Sequence, residues 1–246
     1  MDAAFAETLA RRGLNLILIA REKERLEAAA KKLRERYSID VLTITSDLAD
    51  YEKIKHLIEA RLSEDNKKYS IGLMVYNAAY APIGLIENTS EEQLSVTAAV
   101  NVRTPLLLTK LLSAPMINNK RGGIVLMSSL ACAHGSSMPA VYEASKAFNT
   151  VLAEGLWKEL KANGVDVISC CAGVISAPAQ QQTKKSRLPP GTLSANDIAE
   201  QTLKALGKGP IVIPGTINKL VYFVLTRLLT KKAAIDIISK NTGGLS

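Results

Sequence analysis

Short continuous apolar runs along the chain alternate with longer segments in which apolar residues recur at every third or fourth position. Such runs predict buried strands, and recurrence at helical spacing predicts amphipathic helices. The predicted strands are 14–20, 39–44, 71–76, 122–130, 165–171 and 210–213. The predicted helices are 2–12, 22–37, 51–63, 91–117, 142–163 and 194–206, the last with Ser194 as its N-terminal cap.

The order of these elements predicts the fold class. Strands that alternate with helices indicate an α/β fold built on a doubly wound parallel sheet. A chain of 246 residues can form one such domain with a full-size core, and no internal repeat or second boundary interrupts the pattern. We therefore predict a single domain over 1–246, in which 215–246 is a C-terminal amphipathic helical tail.

Composition narrows the function classes. Hydrophobic residues make up 47% of the chain and charged residues 22%, which is typical of a soluble globular protein. The net charge of +8 permits attraction to a phosphorylated cofactor, to nucleic acid or to an anionic membrane. The aromatic content of 4% and the lack of a compact basic motif argue against nucleic acid as a partner.

Cysteine and histidine usage argues against disulfides and metals. The three cysteines are odd in number, and Cys170 and Cys171 are adjacent in a predicted strand, so a reducing compartment is favoured. The two histidines have no metal-ligand spacing, and no metal site is predicted. No signal peptide and no apolar run of 18 residues is visible, which predicts a cytoplasmic protein.

Three side chains stand out for their chemistry. Tyr142 and Lys146 are four residues apart at the start of a predicted helix, so they share one helix face. An ammonium group beside a phenol favours the phenolate, which suits general acid–base chemistry near neutral pH. Ser129 lies thirteen residues before Tyr142 and ends a buried strand, at the edge where ligands bind in open α/β sheets.

The same spacing occurs a second time, in Ser38, Tyr51 and Lys55. Ser38, however, comes before its predicted strand and not after it, so it lies at the opposite end from the following helix. We interpret this second set as a chance match on a solvated helix face.

The pattern of Ser129, Tyr142 and Lys146 resembles that of the short-chain dehydrogenase/reductase family, and the likeness covers nearly the whole chain. The resemblance implies a Rossmann-like fold, a nicotinamide cofactor, and a homodimer or homotetramer. It also implies that Tyr142 exchanges a proton with the substrate oxygen, to which Ser129 hydrogen-bonds. Lys146 would lower the pKa of Tyr142 and bind the nicotinamide ribose. Asn101 matches the family asparagine that bends a helix and holds a proton-relay water.

The resemblance also implies cofactor-binding positions. Arg21 follows the first predicted strand, where an arginine suits a 2′-phosphate and favours NADP(H) over NAD(H). Asp47 and Leu48 match the adenine contact, and Ile175 matches a backbone contact to the carboxamide. The remaining matched positions are Asn77 and Ala78, together with Tyr142 and Lys146.

Two of these positions have simpler interpretations, and three others depart from the family pattern. Arg21 can be a solvated side chain at a helix start, and Asp47 can be the N-cap of the helix near Tyr51. The family's glycine, proline and threonine are replaced by alanines at positions 79, 172 and 177.

One family feature is absent from the front of the sequence. Family members begin with a strand and a glycine-rich turn that binds the cofactor pyrophosphate, whereas this chain begins inside the helix that follows. The first strand is central in such sheets, so its neighbours would stay unpaired or close a gap of about 5 Å. A truncated sequence and a divergent protein with impaired cofactor binding are both compatible with this pattern.

The interpretation that joins these features is an oxidoreductase. It would transfer a hydride between NADP(H), with NAD(H) less favoured, and a carbonyl or secondary alcohol, lipid-like substrates included. The alternative is a non-catalytic binding or scaffold protein that keeps the fold. The enzyme is favoured by the intact set of Asn101, Ser129, Tyr142 and Lys146. The scaffold is favoured by the lack of the N-terminal strand and glycine-rich turn.

Three further features have ordinary interpretations. His134 is predicted to be a solvated loop residue, and Cys132 to be a packing residue. The amphipathic stretch 218–240 is predicted to close the substrate site or to form a dimer face. A weak membrane-surface contact through its basic and apolar side chains is the alternative.

Overall fold

Strands and helices follow one another in the predicted order along the described part of the chain. The structure is a computed structural model, and it describes residues 1–63, 70–176 and 188–242. The strands are β1 (Leu16–Ala20), β2 (Val41–Thr45), β3 (Leu73–Tyr76), β4 (Gly122–Ser129), β5 (Val165–Ala172) and β6 (Ile211–Val212). The helices are α1 (Asp2–Ala10), α2 (Lys23–Tyr37), α3 (Tyr51–Ser63), α4 (Glu91–Ala98), α5 (Thr104–Asn118), α6 (Ala140–Leu160), α7 (Ala195–Ala205), α8 (Thr216–Phe223) and α9 (Lys231–Thr242).

Every strand pair among the described residues is parallel. β1 pairs with β2, and β3, β4, β5 and β6 form a second sheet in that order. The longest ladder joins β4 to β5, from Gly122 opposite Val165 to Ser129 opposite Ala172. Helices connect the strands and cover both faces. The chain is therefore a single α/β domain with Rossmann-like, doubly wound architecture, as the sequence predicts.

The sheet is interrupted between β1 and β3, where the sequence lacks the family's first strand. No ladder joins these two strands in the described part of the chain. Their side chains nevertheless pack into the same cores, since Ile17 and Met74 share one and Leu16 and Val75 share the other. The predicted gap is therefore present, and the two half-sheets are held together by their cores.

The sides of the sheet are covered by different helices. Along β4 successive side chains alternate, so Ile124 and Leu126 enter the core beneath α3, α5 and α6. Val125 and Met127 point the opposite way, into a second core beneath α1 and α7. Because α6 lies directly on β4 and β5, its side chains are fixed relative to the carboxyl ends of these strands.

Several elements begin at other residues than predicted. β1 starts at Leu16 because Leu14 still belongs to the turn after α1, where its N–H donates to the Leu9 carbonyl. β2 starts at Val41 because Ser38 ends α2 in the left-handed conformation. The Tyr142 helix starts two residues early, at Ala140, with Pro139 before it.

The long helical region predicted over 91–117 contains a break in its regular winding. A π turn at Ala99–Arg103 separates α4 from α5, and Asn101 lies at its centre. Such turns displace the helix locally and occur frequently at functional sites. The bend that the resemblance implies at Asn101 is therefore observed.

The amphipathic tail is two helices and not one. α8 continues into a π turn at Val224–Leu228, and the extended backbone of Leu229 ends it before α9. Within the described residues, no helix is both long enough and apolar enough to cross a membrane.

Candidate active site

The predicted catalytic residues meet at the carboxyl edge of the four-stranded sheet. Ser129 is the last residue of β4, and Tyr142 and Lys146 lie on the first turns of α6. A side-chain hydrogen bond links β4 to α6, because the Ser128 hydroxyl donates to the Lys146 carbonyl at 2.8 Å. The Thr150 hydroxyl donates in turn to Ser128 at 2.8 Å. These buried bonds fix the position of α6 over the end of β4.

Lys146 is buried and points along this edge. Its ammonium group donates to the Met127 carbonyl at 2.9 Å and lies 5.6 Å from the centre of the Tyr142 ring. Burial lowers the pKa of Lys146 to about 8, because the charged form loses its hydration. The side chain is thus held within reach of Tyr142 while keeping a titratable proton.

The pKa of Tyr142 differs in direction from the prediction. Burial of the ring raises the pKa of the phenol, and a hydrogen bond with the Ser129 side chain opposes the rise. The net pKa is therefore raised and not lowered, because burial is the largest cause. That Lys146 stabilises the phenolate stays a prediction.

Asn101 links two segments of the site. Its side chain accepts from the Tyr80 N–H and donates to the Tyr80 carbonyl, both at 2.8 Å. It also donates to the Ser145 hydroxyl at 3.0 Å, which donates to the Tyr142 carbonyl at 2.6 Å. Asn101 thereby holds the loop after β3 and the first turn of α6 in one network. The relay water that the resemblance implies stays a prediction.

Glu143 is a buried residue of the site that the sequence analysis missed. Its carboxylate accepts from the Ser136 N–H and, at 2.7 Å, from the Ser136 hydroxyl. These bonds hold the loop between β4 and α6 against the helix that carries Tyr142. The sequence signal for Glu143 was its position as an acidic residue in the first turn of a predicted helix, where a negative charge interacts favourably with the helix dipole.

A small cleft lies at the start of α6, where Val141, the residue before Tyr142, forms part of its wall. Its volume is about 190 Å³, and it lies between the segment after β3 and the residues that enter α6. The wall is mainly apolar, with Pro82, Leu85, Ile86, Met138 and Val141 among the lining residues. A surface of this kind suits an uncharged substrate.

The adenosine side of the predicted cofactor site lies at the ends of β1 and β2. Arg21 and Asp47 form a long ion pair there, with 3.9 Å between nitrogen and oxygen, and both are exposed. The Asp47 carboxylate accepts from the Ala49 N–H at 2.9 Å. The cap of α3 is instead Asp50, which accepts from the Lys53 N–H at 3.1 Å. The alternative role of Asp47 as the N-cap is therefore wrong.

The other predicted cofactor positions are spread along the same edge. The Leu48 carbonyl accepts from the Thr104 hydroxyl at 2.6 Å, and Ala78 packs on the first core. Asn77 donates to the Asp2 carboxylate at 2.7 Å, and Ile175 forms an isolated bridge with Leu193. Position 177, where alanine replaces the family threonine, lies outside the described residues.

These donors fit a nicotinamide dinucleotide at its two ends. Arg21 offers an exposed cation for a phosphate on the adenosine ribose, and Lys146 with Tyr142 offers donors for the nicotinamide ribose. The middle fits less well, because the first turn of α1 carries the Asp2 carboxylate where a pyrophosphate would need N–H groups. Among the described residues, no group of three or more ligands could hold a metal ion.

Two predictions for the loop after Ser129 were incomplete. Cys132 is not only a packing residue, because its sulfur lies 3.5 Å from that of Cys171 on β5. The hydrogen bond from Cys171 lowers the pKa of Cys132 to about 6. His134 is half-buried, with its Nε2 atom 2.9 Å from the Leu225 carbonyl of the tail, so the prediction of a solvated histidine is wrong.

The second serine, tyrosine and lysine set does not assemble in this way. Ser38 is the residue that ends α2, and Tyr51 is buried in the first core, with its hydroxyl 3.5 Å from the Leu107 carbonyl. The prediction that Tyr51 lies on a solvated helix face is therefore wrong, because its ring is part of the core.

A family profile described as short chain dehydrogenase matches residues 2–188, about three quarters of the chain. The chain belongs to the short-chain dehydrogenase/reductase family. Members of this family are oxidoreductases. The match includes β4, the start of α6 and Asn101, so the predicted catalytic residues lie within the matched segment.

The curated relatives include a protein named as hydroxysteroid dehydrogenase-like and proteins named as inactive members of that type. Hydroxysteroid dehydrogenase-like protein 1 of Gallus gallus is 31% identical over 210 residues, which are 83% of this chain and 61% of that protein. Inactive hydroxysteroid dehydrogenase-like protein 1 of Mus musculus is 31% identical over 168 residues, or 68% of this chain and 50% of that protein. The chain thus spans about half to three fifths of the length of these relatives.

Solved structures include one with a cofactor. A short-chain dehydrogenase from Sphingobium yanoikuyae in complex with NADPH is 25% identical, with a TM-score of 0.76. The likeness covers 91% of this chain and 87% of that one. A fold of this type therefore holds NADPH in at least one relative.

Proposed function

We propose that this family member transfers a hydride between NADP(H) and a ketone or secondary alcohol. The observation that carries the proposal is the placement of Tyr142 beside buried Lys146 and the Ser129 hydroxyl, on the helix whose first two residues line an apolar cleft. Each of these groups has a role in carbonyl reduction. A purely structural role would explain their positions less well. Burial of a lysine destabilises a fold, so a buried lysine indicates a functional role.

The residues divide the work among them. Ser129 donates a hydrogen bond that orients the carbonyl oxygen of the substrate. Tyr142 gives its phenolic proton to that oxygen during reduction, or takes it back during oxidation. The Lys146 ammonium stabilises the phenolate that this transfer leaves. The nicotinamide supplies or accepts the hydride when it is bound.

The raised pKa of Tyr142 makes the phenol a weaker acid, so proton transfer from it depends on a cation that stabilises the phenolate. Below about pH 8 Lys146 is charged and can serve as that cation. Lys146 is therefore the residue on which the proposed acid role of Tyr142 depends.

NADP(H) is the cofactor that the site supports best. Arg21 lies at the end of β1 with three quarters of its side chain exposed, so it can meet a 2′-phosphate. Asp47 is near enough to orient Arg21 and too far to neutralise it fully. The NADPH complex of the relative from Sphingobium yanoikuyae supports the same choice.

A non-catalytic binding protein is the second candidate. The relatives named inactive favour it, since one of them is 31% identical over 68% of this chain. In that case the fold and the Tyr142 network persist without turnover.

Substitution of Tyr142 distinguishes the two candidates. We expect Tyr142→Phe to lower ketone reduction by about 10²- to 10⁴-fold, the usual contribution of a general acid, while NADPH binding is kept. Turnover would be measured as NADPH oxidation with a panel of apolar ketones. Tyr51→Phe is the matched control, since it removes a buried tyrosine hydroxyl from the other Tyr-x-x-x-Lys set and should change turnover little. A chain that binds NADPH and reduces no ketone would support the binding protein instead.

A further inference from the structure

The helix α8 and the π turn after it present apolar side chains to solvent. The exposed fraction is 49% for Ile217, 62% for Leu220, 41% for Val221, 51% for Phe223 and 65% for Leu228. Ile217, Leu220 and Val221 follow helical spacing, so they form one stripe on α8, with Phe223 beside it and Leu228 at the end of the π turn that follows. We name these five residues the tail surface.

The orientation of this helix is fixed by its other face. Asn218 is buried and donates to the Gly191 and Pro214 carbonyls at 3.0 and 2.9 Å. On the following turns the Leu225 carbonyl lies 2.9 Å from His134. The polar contacts thus face the protein and the apolar stripe faces outward, which reverses the usual arrangement of a surface helix.

The charges that the tail itself carries near this surface have one sign. Lys219, Arg227, Lys231 and Lys232 lie on or next to it in the sequence, and residues 216–235 include no aspartate or glutamate. The first acidic residue after them is Asp236, which lies 3.8 Å from the Lys232 ammonium. From another element, the Glu154 carboxylate of α6 lies close enough to Tyr222 to interact with it electrostatically. An exposed apolar stripe on a helix whose own charges are cationic is typical of helices that lie in the headgroup region of anionic membranes.

We propose that the tail surface docks on an anionic phospholipid bilayer, with its apolar side chains among the acyl chains and its cations at the headgroups. A second copy of the chain fits less well. A two-fold contact through this face would bring Lys219 and Arg227 of each copy towards the same cations of the other. A bilayer that contains anionic lipid offers instead both an apolar interior and a negative surface.

The docked face would lie beside the substrate cleft. His134 contacts the tail through Leu225, and the Ser137 N–H donates to the Ser239 hydroxyl of α9 at 3.1 Å. Ser137 also lines the cleft at the start of α6. If the proposed reductase function holds, ketones dissolved in the bilayer are the substrates that this placement serves. Docking itself does not depend on that function.

Vesicle cosedimentation tests the docking. The unmodified chain would be mixed with vesicles of phosphatidylcholine alone or with an equal amount of phosphatidylserine, at low and high salt. We expect binding to the phosphatidylserine vesicles that falls with salt, because screening weakens attraction to the headgroups. Lys219→Gln with Arg227→Gln should lower the affinity about 10- to 30-fold, given the usual contribution of each basic residue at such a surface.

Apolar variants and matched controls complete the test. Leu220→Ser with Phe223→Ser should lower binding to both kinds of vesicle by at least about tenfold, since two buried side chains are lost. Val151→Ser removes an equally exposed apolar residue on α6, and Lys110→Gln with Arg121→Gln removes two distant cations. These controls should bind as the unmodified chain does, and circular dichroism should show every variant folded.

Two outcomes would overturn the proposal. One is vesicle binding that is absent, or that the control variants lower as much as the tail variants. The other is a dimer that Leu220→Ser with Phe223→Ser dissociates, without binding to phosphatidylserine, which would assign the tail surface to a second copy. Tyr142→Phe should bind vesicles normally, so a failure of the proposed function and a failure of docking are seen separately.

Discussion

At the scale of single residues, short-range spacing brings the three side chains of the proposed site together. Tyr142 and Lys146 share a helix face because they are four residues apart, and Ser129 meets them because it ends the preceding strand. The pKa direction of Tyr142 was not predictable, since it depends on how much of the ring the fold buries. Glu143 was missed for a related reason, because its partner Ser136 is known only from the path of the loop.

Cys132 gives a prediction at this scale. The hydrogen bond from Cys171 lowers its pKa to about 6, so its thiolate predominates at neutral pH. Burial raises the pKa of Cys170 to about 12, and that of Cys171 is also raised by its bond with Cys132 and by burial. We expect one fast alkylation by iodoacetamide, with a rate that rises through about pH 6 and then levels.

The assignment of that fast thiol is checked by substitution and mass spectrometry. Cys132→Ser should abolish the fast phase, whereas Cys170→Ser should leave it unchanged. A fast phase whose midpoint lies near the ordinary thiol pKa of about 8.5 would contradict the account.

At the scale of elements, the periodicity of apolar residues predicted which strands and helices form better than where they start. Apolar residues such as Leu14 and Ile39 lie before the first ladder hydrogen bonds of β1 and β2. Hydrophobicity alone cannot distinguish a residue that precedes a strand from a residue within it. A bend at Asn101 was expected from the resemblance, whereas the π turn that the structure has there was not predicted, because the apolar periodicity of α and π turns is nearly the same. The tail was predicted as one amphipathic stretch because its apolar spacing continues through the break at Leu229.

Substitution of Asn101 tests the link between the π turn and α6. Asn101→Ala would leave the Tyr80 N–H and carbonyl without their side-chain partner and remove the bond to Ser145. We expect the free energy of unfolding to fall by about 1–3 kcal/mol, the usual cost of buried polar groups left unpaired. Urea denaturation would measure it.

Asn88 is the matched control for Asn101. It is an exposed asparagine in the segment between β3 and α4, so Asn88→Ala should change the free energy of unfolding by less than about 0.5 kcal/mol. Equal effects of the two substitutions would show that the Asn101 network adds nothing to the stability of the fold.

At the scale of the whole molecule, the fold is a doubly wound domain divided between β1 and β3. The sequence predicted this division because the strand that belongs there precedes α1 in the family and is absent from the chain. How the two half-sheets stay together was not predictable. The two cores join them, since side chains of β1 and β3 enter the same clusters from both faces.

The two ends of the site bear on the central claim. Arg21 lies at the proposed adenosine end and Lys146 at the proposed nicotinamide end, and each offers a cation for cofactor binding. Arg21→Ala tests the first end, and Arg25→Ala is a control on the next turn, where the side chain is paired with Glu22.

The most direct measurement is the dissociation constant for NADPH and for NADH by isothermal titration calorimetry. We predict that NADPH binds more tightly than NADH, that Arg21→Ala weakens NADPH binding about tenfold through loss of a charge-assisted phosphate contact, and that NADH binding is unchanged. Arg25→Ala should leave both constants unaltered. If neither cofactor binds, or if NADH binds as tightly as NADPH and Arg21→Ala changes nothing, the proposal of an NADP(H)-dependent reductase is contradicted.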